Sequence, residues 1–191
     1  HISKAIVHDR VVHQAIVQVI EPEVDGSFIF DSYASRAGKG THAAIARFSG
    51  FLRRASRNNR RTVFVLKCDI RKFFDSVRHD ILLALLSRVV HDEKLLALCT
   101  EIVRSYRSQE GTGRGIPLGN VTSQLFANIY LNSFDHFVKE RLRMRWYVRF
   151  CDDFLIAHYD RHTLAEIIPT VQTFLRKQCG LDLHSKKVTI R

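Results

Sequence analysis

Acidic residues are scarce in this chain. It has 19 Asp and Glu against 30 Lys and Arg, a formal net charge of +11 and a sequence pI of about 9.9. On a folded domain a surplus of that size points to a polyanionic partner rather than to solubility alone. Cysteine is also sparse. Cys68, Cys99, Cys151 and Cys179 show no CxxC spacing, so neither a zinc ribbon nor a disulfide framework is expected. Reduced thiols in a cytoplasmic setting are the expectation. No signal peptide is visible and no apolar run is long enough to span a bilayer, so no membrane partner is expected. Internal repeats and low-complexity linkers are missing too. His79, His91 and Asp92 fit no metal-ligand spacing and read as polar residues at helix ends. The first residue is His1 and not Met, as expected of a fragment.

What is present suffices for a core. Apolar residues make up 46% of the 191 positions and aromatics 10%, which suits one domain or a domain with a small lobe. Asp9 is expected to cap a helix to about Ile20, with Val11, Val12, Ala15, Ile16, Val19 and Ile20 as its apolar stripe and Glu21-Pro22 as its end. An extended piece from Phe28 leads to a Gly-containing basic loop, and Thr41 is expected to cap a helix to about Arg54. A basic turn over Arg57–Arg61 precedes a strand over Val63–Asp69. Helices follow at about Asp80–Val90 and Glu93–Tyr106, then a Gly-rich loop over Arg107–Gly119. A long helix from Thr122 to about Leu142 carries Leu125, Phe126, Ile129, Tyr130, Phe134 and Phe137 on its apolar face. A helix over Leu164–Cys179 and a strand-like segment over Leu181–Ile190 close the chain. Strands alternating with long helices predict an α+β fold, a small antiparallel sheet with helices packed on one face.

The chemistry concentrates in Tyr147-Val-Arg-Phe-Cys-Asp-Asp-Phe-Leu-Ile-Ala157. Apolar residues on both sides of Asp152 and Asp153 read as two short strands meeting at a tight turn made of two acids. Adjacent carboxylates repel, and a divalent cation relieves that repulsion most simply. A third candidate ligand, Asp69, ends the strand before it. Two metals held by such carboxylates are a known device for phosphoryl transfer.

Four blocks resemble, in order, those of a reverse transcriptase: Cys68-Asp-Ile-Arg-Lys-Phe-Phe-Asp-Ser-Val77, Gly115-Ile-Pro-Leu-Gly-Asn-Val-Thr-Ser-Gln124, Phe150-Cys-Asp-Asp153 and Gly180-Leu-Asp-Leu-His-Ser-Lys-Lys187. Upstream, Phe30-Asp-Ser-Tyr-Ala-Ser-Arg-Ala-Gly-Lys-Gly-Thr-His42 resembles a fingers motif of the bacterial group II intron type. The string Leu118–Gln124 looks like the reverse transcriptases of diversity-generating retroelements, an error-prone subfamily. In it Leu118 stands where a Gln commonly precedes the Gly.

The resemblance implies a right-hand polymerase, with fingers over residues 1–60 and 78–118 and palm over 61–77 and 119–191. The chain stops soon after Lys187, so the primer grip and thumb are expected to be absent. The implied activity is RNA-directed DNA synthesis with two Mg²⁺ ions, an RNA template, a DNA or RNA primer and deoxynucleoside triphosphates. A homodimer is left open. The alternative is a maturase-like RNA-binding module in which polymerisation is secondary.

The resemblance also implies roles. Asp69 and Asp152 would bridge the ions, Asp153 would stand beside them, and the Ile70 carbonyl would complete one coordination sphere. Lys187 would be a general acid for pyrophosphate, with Lys186 one step out of register. Phe74 would be the steric gate against a 2′-hydroxyl and Phe73 a core residue, although adjacent side chains could exchange these parts. Lys72, Leu118, Gly119 and Gln124 complete the nucleotide-binding set. Arg36 and Lys39 are either a triphosphate clamp or a solvated basic loop. Apart from the resemblance, the basic pairs Arg53-Arg54 and Arg60-Arg61 read either as contacts to nucleic-acid backbone rather than bases or, taken singly, as solvated surface.

Overall fold

In the computed structural model the described residues are 6–106 and 113–191. The first part of the expected Gly-rich loop, residues 107–112, lies outside them. The chain divides into two compact units. One unites the segment ending at Phe28 with Lys72–Asn132, and the other unites Ile29–Arg71 with Ser133–Arg191. These boundaries differ from those of the expected fingers and palm segments.

The first unit is helical. It holds α1 (Val7–Asp25), the short α3 (Phe73–Ser76), α4 (His79–Leu86), α5 (Glu93–Ser105) and most of α6 (Val121–His136). The expected end of α1 at Pro22 is corrected: the helix runs on to Asp25 with Pro22 inside. Proline leaves the carbonyl four residues back without a helical donor. Here that carbonyl belongs to the exposed Gln18, where water can serve it. The buried face is also corrected. It is His13, Ile16, Ile20 and Val24, so Val24 rewards the extra turn, whereas Val11 and Val19 are exposed. Asp92 caps α5 by accepting the Leu95 N–H at 2.7 Å. The apolar face of α6 is as expected from Leu125 to Phe134. The helix then loosens into a π-helical turn, Phe137–Arg141.

The second unit is built on a four-stranded antiparallel sheet. Its strands are β1 (Phe64–Asp69), β2 (Trp146–Phe150), β3 (Asp153–His158) and β4 (Thr189–Ile190), in the order β2-β3-β1-β4. The expected long terminal strand shrinks to β4 and a single bridge, Ile70 to Leu183. Strand alternation sorts the side chains. Leu66, Cys68, Tyr147, Phe154 and Ile156 are buried. The Phe134 ring sits 5.1 Å from Phe154 and 6.0 Å from Phe174 of α7 (Arg161–Phe174), which packs on β1 and β3.

The opposite face is partly covered by α2 (Thr41–Ala55), whose Phe51 and Phe48 pack with Val148, Trp146 and Tyr33. Thr41 is the first helical residue and not its cap. Gly40 holds the cap position at φ 128°, a conformation that favours glycine. No helix among the described residues is long and apolar enough to cross a membrane.

Candidate active site

Register brings the acids together. Asp69 ends β1 and Asp153 begins β3, and the two are paired Cα partners across the ladder. Side chains so paired share one face, with Cβ atoms about 5 Å apart. Asp152 stands in the turn between β2 and β3. The expected turn of two acids is corrected: its two residues are Cys151 and Asp152, and Phe150 pairs with Asp153. Cys151 takes φ 56°, the left-handed conformation a two-residue hairpin loop demands. The shift frees Asp153 to join the strand opposite Asp69. Ile70 N–H donates to the Asp152 carbonyl at 3.2 Å, tying the turn to the end of β1.

The three acids are held at an electrostatic cost. Burial raises the Asp152 carboxyl above its ordinary range, and Asp69 and Asp153 raise it further. The Asp153 Oδ1 atom is buried with no hydrogen-bond partner among the described residues. Lys187 partly offsets the charge. Its Nζ donates to Asp69 Oδ2 at 2.8 Å, and that bond raises the lysine's own proton affinity. The backbone holds Lys187 close: His184 N–H donates to the Asp69 carbonyl at 2.8 Å, and Lys187 N–H to His184. Lys187, and not Lys186, is thus the lysine that reaches an acid. Among the described residues no group of three His, Cys, Asp or Glu residues is arranged to hold a metal ion. An all-carboxylate donor set with one unsatisfied buried oxygen nonetheless suits a hard cation such as Mg²⁺.

Behind the turn lies a network that sequence reasoning missed. Arg149, fully buried, donates from Nε and Nη2 to both oxygens of Asp135, at 2.8 and 2.7 Å. Tyr147 O–H donates to Asp135 Oδ1 at 2.6 Å. The remaining fork of Arg149, Nη1, donates to the Cys151 carbonyl at 2.9 Å. Burial opposes the Arg149 charge, but Asp135 outweighs it and holds the guanidinium protonated. The available signal was an arginine in phase with Tyr147 on β2.

The other expected residues fall in both units. In the second unit, Arg36 donates to the Ile29 carbonyl at 2.7 Å and to Ser32 Oγ at 2.9 Å, bracing its own loop. Lys39 Nζ donates to the Phe30 carbonyl at 2.8 Å and lies 3.4 Å from the centre of the Phe30 ring. Arg53, Arg54 and Arg60 are exposed, while Arg61 donates to the Ala55 carbonyl. Beside Asp153, a cavity of about 350 Å³ opens between α2 and the sheet, lined by Phe48, Lys67, Val148, Phe150 and Leu155 among others. In the first unit, Phe73 is core at 1% exposure and meets Tyr130 edge-on. Phe74 is only half-buried. Lys72 is exposed at φ 43°, Leu118 and Gln124 are exposed, and Gly119 takes φ 97°.

The family model for reverse transcriptase (RNA-dependent DNA polymerase) matches residues 2–191. The chain belongs to the reverse transcriptase family. This reverse transcriptase domain is 30% identical over 149 residues to protein YkfC of Escherichia coli strain K12, covering 73% of this chain and 39% of that protein. To the group II intron-encoded protein LtrA of Lactococcus lactis it is 25% identical over 142 residues, covering 72% and 22%. To nuclear intron maturase 1, mitochondrial, of Arabidopsis thaliana it is 30% identical over 100 residues, covering 50% and 12%. The chain therefore spans about two fifths of YkfC and smaller shares of the other two. Telomerase from Candida tropicalis, solved with a fragment of telomeric RNA, shares the fold at a TM-score of 0.72 and 14% identity, over 96% of this chain and 35% of that one. The expected fold class, the fingers and palm of a right-hand polymerase, holds.

Proposed function

We propose that this domain carries out RNA-directed DNA synthesis, joining a deoxynucleoside triphosphate to a primer 3′-hydroxyl on an RNA template. The observation that carries the reading is the cross-strand pair of Asp69 and Asp153 with Asp152 in the adjoining turn. Asp69, Asp152 and Asp153, with the Ile70 carbonyl, would hold two Mg²⁺ ions. Such ions, when bound, lower the pKa of an attacking hydroxyl and neutralise a leaving pyrophosphate. Lys187 would release Asp69 and deliver its proton to the pyrophosphate. Phe74, the less buried of the two adjacent rings, would exclude a 2′-hydroxyl. Lys72, Phe73, Leu118, Gly119 and Gln124 would line the nucleotide and base-pair side, with fingers and palm divided as expected from the sequence. Arg36 and Lys39 would act chiefly by holding their loop in shape, since both side chains bond backbone carbonyls there. The primer, the nucleotide and a homodimer belong to the same proposal.

A maturase reading has its own support in the likeness to intron-encoded proteins and an intron maturase. Primer extension on an RNA template with Mg²⁺ separates the two. Wild type should extend and Asp152→Asn should not. An Asn variant within about tenfold of wild type, an effect of only about 1.4 kcal/mol, would remove the metal role. RNA binding without extension in either protein would favour the maturase.

A further inference from the structure

We propose that the loop joining α2 to β1 is a second RNA-docking surface, built to take phosphodiester backbone away from the catalytic acids. From Ser32 to Cys68 the chain has no Asp or Glu and nine Lys or Arg residues. Five are arginines packed between Arg53 and Arg61. Helix polarity accounts for two of them, since Arg53 and Arg54 lie in the last turn of α2, where cations are favoured. It does not account for Arg57 and Arg60, which lie beyond the helix.

The loop is rigid. Arg57 N–H donates to Arg54, Asn58 N–H to Arg53, and Arg60 and Arg61 N–H both to the Ser56 carbonyl. Asn59 N–H donates to Ser56 Oγ at 2.9 Å. Arg57, Asn58 and Asn59 all take positive φ, 52°, 57° and 64°. Three consecutive left-handed residues are strained, and this hydrogen bonding is what sustains them. Backbone donors are thus spent inward while the guanidinium groups of Arg53, Arg54, Arg57 and Arg60 point to solvent. None of the four has a carboxylate partner among the described residues. At one edge the Arg61 guanidinium lies 4.2 Å from the centre of the Tyr159 ring, which stacks on His158. A fixed cluster of like charges without local neutralisation is complementary to a polyanion.

Its location separates it from the acids. Phe64, at the loop end of β1, pairs with His158, whereas Asp69 pairs with Asp153. Five strand steps lie between, about 17 Å. Arginine forks suit phosphate oxygens, and nothing in the cluster is set to read base edges. The surface is therefore expected to hold RNA without sequence preference. An anionic lipid surface is less well matched, because no apolar side chain between Arg53 and Arg61 is exposed for insertion.

The test measures binding of a labelled RNA hairpin, with no primer or nucleotide present, between about 50 and 200 mM salt. The quadruple variant Arg53→Gln, Arg54→Gln, Arg57→Gln, Arg60→Gln should lower the slope of log affinity against log salt by about three. A control, Arg88→Gln, Lys94→Gln, Arg104→Gln, Lys177→Gln, removes the same charge from other exposed positions and should change the slope by less than one. Equal effects in the two variants would overturn the proposal. So would loss confined to a DNA hairpin of the same sequence, or undiminished RNA binding with loss only on phosphatidylserine vesicles. Because no extension is measured, a domain that fails to polymerise yet shows the arginine-dependent slope refutes the polymerase reading and leaves this one standing.

Discussion

Replacing the network behind the acidic turn should separate stability from the proposed activity. Arg149→Met leaves Asp135 as a buried carboxylate with only the Tyr147 hydroxyl for company, since both residues of the pair are fully buried. Breaking a buried ion pair from one side costs about 3–5 kcal/mol. For a chain of this length each kcal/mol lowers the melting temperature by about 2–4 °C, so a fall of about 6–20 °C is expected. The triple variant Arg149→Met, Asp135→Leu, Tyr147→Phe removes every polar member at once. Apolar replacement of a whole buried ionic network is near neutral or stabilising, so thermal stability should return to within a few degrees of wild type. Activity should not return. The Cys151 carbonyl loses its donor, the strained φ of 56° loses its restraint, and Asp152 next to it drifts. A displacement of about 1 Å can cost about a hundredfold in rate. The assay pairs thermal melts with primer extension at saturating primer–template. A triple variant as stable and as active as wild type would show that the clamp does not position the turn. A single variant that melts within about 2 °C of wild type would show that the pair is not desolvated as described.

Asp152→Asn should also stabilise the free domain at neutral pH. The native carboxyl has a raised proton affinity, so wild-type stability falls as pH rises from the unfolded value through the native one. Asn mimics the neutral form, so its advantage in melting temperature should be absent at low pH and grow toward pH 7. An advantage independent of pH would remove the repulsion argument. Phe74→Val should raise the ratio of ribo- to deoxyribonucleotide incorporation at least tenfold, read by single-nucleotide extension. A shift with Phe73→Val instead would move the gate to the buried ring. Leu118→Gln should lower misincorporation opposite template adenine without loss of stability, since Leu118 is 44% exposed. Product sequencing with equal, low error rates in both proteins would remove the retroelement likeness.

The sequence announced those elements whose signal is local. Strand β1 and the face of α6 were legible because burial follows their periodicity, and the acid-rich hairpin because apolar runs flank it. Pro22 misled, since a proline's effect depends on whether the carbonyl it orphans faces water. The turn was shifted by one because cysteine rarely takes positive φ, and nothing local marks Cys151 as the residue that must. The Lys187 to Asp69 bond joins residues 118 apart, and the Arg149 to Asp135 pair joins a strand position to a helix position 14 residues away. Burial of a charge is a property of the assembled unit, and here only the shared phase of Arg149 and Tyr147 along β2 hints at it.

The two faces of the hairpin explain why such a costly arrangement persists. Alternation along β2 sends Tyr147 and Arg149 to the packed face and leaves Val148 and Phe150 on the face with Asp153 and the cavity beside it. The packed face carries a charge pair that is satisfied at every fork, so it fixes a conformation without asking for a ligand. The other face carries Asp69 and Asp153, with Asp152 in the adjoining turn and one weakly screening lysine, so it is left short of positive charge. A lysine that is 54% exposed in its side chain gives Asp69 a countercharge that costs little to displace. Had a buried arginine filled that place, its fixed charge would have closed the site to cations. Rigidity behind the turn and unmet charge in front of it are thus separate requirements. The fold meets them on opposite faces of the hairpin, with Tyr147 and Arg149 of β2 on one and Asp153 of β3 on the other.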